Sequence, residues 1–202
     1  MKLPEHIALS FLLAQFGVQQ QYGPLGTALV IAAGCLPDLD GLGIVFSWKF
    51  YRRYHRILGH GLPLTCCGPL LLALFGSSFL GAEALGPLCL WCQVSLFLHL
   101  FTDVAFYNWP VQLLWPLSRR GAAFDLIGWN DLMPTLILYA GCLGAAFWPA
   151  ASAAVGVAAF FLYLGWRALR QAPAAGWGGW LAGGWAVGVH PVWRWLTGDF
   201  IS

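Results

Sequence analysis

His99 and Asp103 stand four residues apart in the apolar run LFLHLFTD. On a helix that spacing puts both side chains on one face, and a neutral imidazole beside a carboxylate can hold a divalent cation. The alternative is a His–Asp hydrogen bond that ties helices together, although ionisable groups inside a membrane are costly and are usually functional. Pro37-Asp38-Leu39-Asp40-Gly41 supplies a second pair of carboxylates, one residue apart, able to bracket one ion or bridge two. The same five residues also read as a solvated turn. His55 and His60, in HRILGHG, do not share a helix face at a spacing of five. Gly59, Gly61 and Pro63 let the chain change direction there, so that His60 can turn toward His55. His6, near the start, is the seventh candidate.

Seven groups (His6, Asp38, Asp40, His55, His60, His99 and Asp103) exceed the four ligands of one tetrahedral zinc ion. If all converge, two or more ions are implied, zinc first, with manganese or magnesium as alternatives. Paired ions roughly 3.5–4 Å apart suit hydrolysis of phosphate esters. Asp40 or Asp103 would then serve as base or orient a ligand. Arg56 reads two ways: its guanidinium can hold a phosphate oxygen, or it can snorkel as a positive anchor. Lys49, Arg52 and Arg53 read as contacts to anionic headgroups.

The elements that must position these residues are membrane segments. Hydrophobic residues make up 59% of the 202 positions and charged residues 9%, with 12 Trp and 14 Phe, and the mean hydropathy is +0.70. A soluble domain of this length would need more charge on its surface. The formal charge of +2 comes with no basic arm or helix, which argues against nucleic acid. Most of the six cysteines lie in apolar runs, and Cys89-Leu-Trp-Cys92 reads as ordinary buried thiols rather than a redox or metal motif.

Apolar stretches run over about 6–18 and 24–36, parted by QQQYGP, then 62–81, 84–106, 129–148 and 149–170. The first pair reads as a membrane hairpin rather than a cleaved signal peptide. The expected fold is an all-α polytopic bundle, one domain over 1–202, with about six membrane segments. A seventh, interfacial or re-entrant, lies in the Gly/Trp-rich tail at 177–196, which also holds His190. Residues 1–125 carry the motifs, and 126–202 add membrane helices and the tail. Threading the six segments through a bilayer puts His6, Asp38, Asp40, His55, His60, His99, Asp103 and Asp125 on one side. Nine of the ten basic residues share that side, Arg194 being the one left over, so the positive-inside rule makes it cytoplasmic.

Taken in order, His6, Pro37-Asp38-x-Asp40, His55-Arg56-x-x-x-His60, His99-x-x-x-Asp103 and the loop LWPLSRR at 114–120 resemble the YdjM-type family of membrane-bound, metal-dependent hydrolases. The resemblance covers roughly residues 1–125. It implies a bacterial inner-membrane location and a metal site built on the seven residues above. It also implies a soluble regulatory partner, since some members are described as LexA-binding. The family is similar in turn to zinc phospholipases C and zinc-dependent single-strand nucleases, which implies phosphoester chemistry. Where the family pattern reads His-Arg-x-x-Thr-His-Ser, this chain has Gly59 and Gly61 in place of the hydroxyl residues.

The leading expectation is an integral membrane metal-dependent hydrolase acting on a phosphoester of a phospholipid or other amphiphile at the cytoplasmic interface. A metal-stabilised scaffold that recruits a soluble regulator is the second. A proton- or metal-coupled transporter is the third, and the nearly featureless far-side turns count against it.

Overall fold

A computed structural model of the chain describes residues 1–106, 110–124, 126–128 and 130–171. Asp125, the tail at 177–196, His190 and Arg194 lie outside the described residues. Among these residues seven α-helices follow one another: α1 (Leu3–Ala14), α2 (Val18–Cys35), α3 (Trp48–Tyr54), α4 (Leu62–Leu80), α5 (Leu85–Val104), α6 (Met133–Ala145) and α7 (Pro149–Gln171). A 3-10 segment, Pro37–Val45, follows α2. Among the described residues there are no strands, only two isolated bridges within the 106–127 loop, Phe106 to Ile127 and Val111 to Ala122. The all-helical expectation holds.

The sequence suggested about six membrane segments. Among the described residues, three helices are long and apolar enough to cross a bilayer: Leu62–Leu80, Ala82–Val104 and Pro149–Arg170. A fourth is added if α2 and the 3-10 segment, bent by 66° from each other, form one broken span. At 12 and 13 residues, α1 and α6 are shorter than the roughly 20 that a full crossing takes.

Part of the shortfall comes from where the first hairpin turns. The reversal falls at Gln15–Gly17, with Gly17 at φ 133°, and not at QQQYGP. Residues 18–22 make an extra helical turn, and the break expected at Gly23-Pro24 survives as a kink with Gly23 at φ 61°. Three glutamines are good helix formers, so polarity there did not mean turn.

The packing has two centres joined by α1. Leu13, Val18, Val30, Ala33, Ala73 and Leu88 fill one between α1, α2, α4 and α5. Leu9, Leu12, Leu138, Phe160 and Leu164 fill the other between α1, α6 and α7. Leu71, Phe79, Leu90, Leu143, Val155 and Leu162 instead turn outward, each more than 60% exposed, as helices facing lipid do.

One polar stripe runs down the buried face of α5, Ser95, His99 and Asp103, at intervals of four. Near Ser95 three helices almost touch. A side chain on Gly34 of α2 would place its Cβ 2.0 Å from the Ser10 Oγ of α1 and 2.6 Å from Ser95 Oγ. Ser95 Oγ spends its proton and lone pairs on Ser10 Oγ and the Val30 carbonyl, 2.9 and 2.8 Å away.

Candidate metal centre

The site forms at one end of the bundle, where four pieces of chain meet: the start of α1, the beginning of the 3-10 segment, the turn at 55–61 and the end of α5. Pro37 has no N–H to donate to the carbonyl four residues back, so α2 ends at Cys35 and the chain continues as the 3-10 segment that swings Asp38 and Asp40 across this end. Asp38, His60, His99 and Asp103 each offer one ligand atom, all within 4.8 Å of one another. The i, i+4 pair read from LFLHLFTD is therefore part of a real cluster.

The spacing inside the cluster suits a small divalent ion. His60 Nε2 lies 3.2 Å from His99 Nε2 and 3.1 Å from Asp103 Oδ2. His99 Nε2 lies 3.7 Å from Asp103 Oδ2 and 3.8 Å from Asp38 Oδ1. Ligands about 2.0–2.1 Å from a tetrahedral ion stand roughly 3.3 Å from each other, so these separations bracket the edges of such a tetrahedron. Two imidazoles and two carboxylates are also the donor set that zinc and similar ions accept.

Each imidazole is aimed by a partner behind it. His99 Nδ1 donates to the Gly34 carbonyl at 2.6 Å. A carbonyl can only accept, so Nδ1 carries the hydrogen and the lone pair of Nε2 faces the cluster. That contact exists because Gly34 has no Cβ to hold the helices apart. His60 Nδ1 faces Asp40 Oδ2 at 3.4 Å, which turns its Nε2 inward.

Asp40 does more than orient His60. Its Oδ1 meets His55 Nδ1 at 2.6 Å, and its Oδ2 accepts from the backbone N–H groups of Arg56 and Gly59 at 3.0 and 3.1 Å. One carboxylate thus knits the 55–60 turn together. His55 joins the arrangement through Asp40 and stacks on Tyr51, ring centroids 4.6 Å apart. Asp40 and His55 stand behind the four-residue cluster rather than in it. His6 lies beside it, stacked on His99 at 3.6 Å between centroids, with Nε2 3.1 Å from Asp103 Oδ1. The Nδ1 of His6 is buried and has no hydrogen-bond partner among the described residues. The amino group of Met1 also meets Asp103 Oδ1.

Arg56 does not snorkel. It is 1% exposed, with Nε 3.3 Å from Asp103 Oδ2 and a terminal nitrogen 3.4 Å from the Asp103 carbonyl. Its backbone sits in the left-handed region at φ 66°, which a non-glycine residue adopts only when its surroundings enforce it. The enforcing contacts are the Asp40 bond to its N–H and a bond from the Gln112 N–H to its carbonyl, at 3.2 Å. The LWPLSRR loop adds another clamp, since the Trp115 carbonyl accepts from the Leu62 N–H at 2.9 Å. These backbone contacts from Gly34, Gln112 and Trp115 have no sequence signature, because any residue type carries the same carbonyl and N–H.

The two glycines that depart from the family pattern sit in close quarters. A Cβ on Gly59 would lie 2.0 Å from the Pro37 carbonyl oxygen, and one on Gly61 would lie 2.9 Å from the Trp115 carbonyl oxygen. Here the backbone of the 55–61 turn presses directly on the segments that carry Asp38 and the loop. The hydroxyl side chains of the family pattern do not fit these positions without a shift of that backbone.

Charge completes the picture. Asp103 pairs with the Arg56 guanidinium and the Met1 amino group, while Asp38 and Asp40 lie against His99 and His55. Burial pulls the proton affinity of His60 down, but its bonds to Asp103 and Asp40 outweigh that and raise it above the ordinary histidine value. The cluster attracts positive charge, and a proton on His60 takes the place that a cation would fill.

The family model of the YdjM inner membrane proteins matches residues 1–174. No curated protein and no solved structure matches the chain.

Proposed function

The chain belongs to the YdjM inner membrane protein family, and from that premise we propose that it is a multi-pass inner-membrane hydrolase that uses a divalent metal to cleave a phosphoester at the cytoplasmic interface. The observation that carries this reading is the convergence of Asp38, His60, His99 and Asp103 at ligand spacing, with the Arg56 guanidinium buried beside them. When bound, a divalent cation there would polarise a phosphoryl oxygen and acidify water. Zinc is the first choice on donor chemistry, and a second ion held by Asp103 Oδ1 and His6 would have to displace the Met1 amino group.

The roles of the chain's own residues follow from their contacts. Asp40 and the Gly34 carbonyl are positioning groups, holding the rings of His60 and His99. Arg56 balances Asp103 and places N–H donors next to the cluster, where a phosphate oxygen would arrive. Asp38, its side chain 12% exposed against 1% or less for the other three, faces the accessible side and is the group best placed to take a proton from water. The positive-inside bias supports a cytoplasmic site, and a site at the end of apolar spans favours an amphiphilic substrate, a phospholipid or lipid phosphate.

One observation favours a second reading. Four protein ligands would close a tetrahedral zinc and leave no open position, which is the pattern of structural sites. In that case the metal holds a membrane scaffold together and a soluble regulator binds elsewhere. The deciding experiment reconstitutes metal-loaded protein with phosphomonoester and phosphodiester lipids under zinc, manganese and magnesium. The hydrolase reading expects turnover that chelation abolishes and that His99→Ala lowers on the order of a hundredfold or more. Full metal occupancy with every phosphoester inert would leave the scaffold.

A further inference from the structure

A second polar pocket lies on the same end of the bundle, on the other side of α1. It is a cavity of about 640 Å³ between the start of α6 and the end of α7, lined by Asn130, Asp131, Met133, Tyr163, Trp166 and Arg167. A short backbone relay joins it to the metal centre's flank: the Leu126 N–H donates to the carbonyl of Ala105, two residues beyond Asp103, and the Leu126 carbonyl accepts from Arg167 Nε at 2.8 Å. The two sites therefore lie at the same end of the bundle but share no residue.

The pocket carries both charges, and they are separated. Asp131 is fixed from two sides, by the Met133 N–H at 3.1 Å and by the Tyr163 hydroxyl. Arg167 spends only its Nε on the Leu126 carbonyl, and its terminal nitrogens have no partner among the described residues. Tyr163 and Arg167 are one helical turn apart on α7, which sets roughly 5–6 Å between their Cβ atoms. Trp166, 47% exposed, adds an aromatic face, with the Arg170 guanidinium 5.5 Å from its ring centroid. A pair of guanidinium N–H groups with no partner among the described residues suits a phosphate. A fixed carboxylate beside aromatic rings suits an ammonium. Last-turn Trp and Arg residues of a membrane span sit at headgroup depth.

We propose that this pocket binds a zwitterionic phosphoethanolamine headgroup, with Arg167 on the phosphate and Asp131, Tyr163 and Trp166 on the ammonium, and that the source is a membrane phospholipid. Aminophospholipid is then selected over phosphatidylglycerol, because an ammonium gives the Asp131 carboxylate a charge-assisted pair where glycerol hydroxyls give only neutral hydrogen bonds.

The test is native mass spectrometry of the delipidated full chain, titrated with phosphatidylethanolamine and phosphatidylglycerol of equal acyl length. The expected result is a preference for phosphatidylethanolamine on the order of tenfold. Asp131→Asn, which keeps the side-chain shape, erases that preference. Arg167→Gln weakens both lipids on the order of tenfold, and Arg167→Lys restores part of the loss. Stripping the metal with a chelator leaves the preference intact, whereas a lipid held at the metal centre would be released. Equal affinity of the unaltered chain for the two lipids would overturn the assignment, as would unchanged lipid binding in both Arg167 variants. Water-soluble glycerophosphoethanolamine that binds as tightly as the lipid would overturn the lipid source.

Discussion

The Nε2 atoms of His60 and His99 stand 3.2 Å apart, and the one on His99 points its lone pair at the other because its Nδ1 is tied to the Gly34 carbonyl. Two ring nitrogens so close need a proton or a metal ion between them. Metal binding should therefore stabilise the fold. At a hundredfold excess over Kd, linkage adds about 2.7 kcal/mol. We expect a chelator to lower the melting temperature of the purified protein, and zinc to restore it. His60→Ala and His99→Ala should each remove both the bound metal, read by elemental analysis, and the chelator effect. A variant that keeps full metal occupancy would remove that residue from the ligand set.

Asp40 should behave differently from the four ligands. It meets His60 from behind and holds the 55–60 turn by two backbone bonds. Asp40→Asn keeps one acceptor oxygen but loses the charge. Metal affinity should fall on the order of 10- to 100-fold, as for other partners of metal-bound histidines, with stoichiometry unchanged at saturating metal. His55→Ala, one step further out, should cost less than Asp40→Asn. Loss of stoichiometry in Asp40→Asn would make Asp40 a ligand.

The sequence made the polar groups of the site legible, because an apolar chain cannot hide them. His99 and Asp103 were visible as a pair from their spacing, and Asp38 from the Pro37 that halts α2. What was not legible is the division of labour. Asp38 and Asp40 look equivalent in PDLDG, yet a 3-10 path sends one into the cluster and the other to the 55–60 turn. Arg56 looked like a surface anchor or a phosphate ligand, and its burial against Asp103 depends on the long-range clamp from Gln112. About six membrane segments were expected, and three or four helices among the described residues pass on length and composition, because apolar run length does not reveal where a chain reverses. The glutamines at 19–21 extend α2 instead of ending it.

Gly59 is expected to be intolerant of any side chain. A Cβ there meets the Pro37 carbonyl oxygen at 2.0 Å, a backbone atom that cannot rotate away. Gly59→Ala should destabilise by about 1–3 kcal/mol or more and loosen the metal through Asp40. Restoring the family's hydroxyls by Gly59→Thr with Gly61→Ser should lower metal affinity further. A gain in affinity or activity from the double variant would show that the turn relaxes to admit them.

The LWPLSRR loop should face the cytoplasm, since it clamps the turn that carries His60 and bears exposed Arg119 and Arg120. In an otherwise cysteine-free background, Arg119→Cys should be labelled by an impermeant thiol reagent only after the inner membrane is opened. Labelling in intact spheroplasts would invert the topology.

Arg56 offers the sharpest electrostatic test. Its guanidinium is buried against Asp103, 3.3 Å from the carboxylate oxygen that also faces His60. Removing one partner of a buried pair costs about 3–5 kcal/mol when the remaining charge is left uncompensated. The Met1 amino group and His6 still meet Asp103, so Arg56→Gln should destabilise the metal-free protein by less than that. A divalent cation bound to Asp103 replaces the lost positive charge, so the metal-loaded variant should recover most of that loss. The same argument fixes the sign for binding. The guanidinium competes with the cation for Asp103, and without it the metal should bind more tightly, not less. Calorimetric titration of zinc into the chelator-stripped variant reads that sign directly. Weaker zinc binding in a folded Arg56→Gln protein would mean that Arg56 shapes the site through the strained turn at φ 66° rather than through its charge.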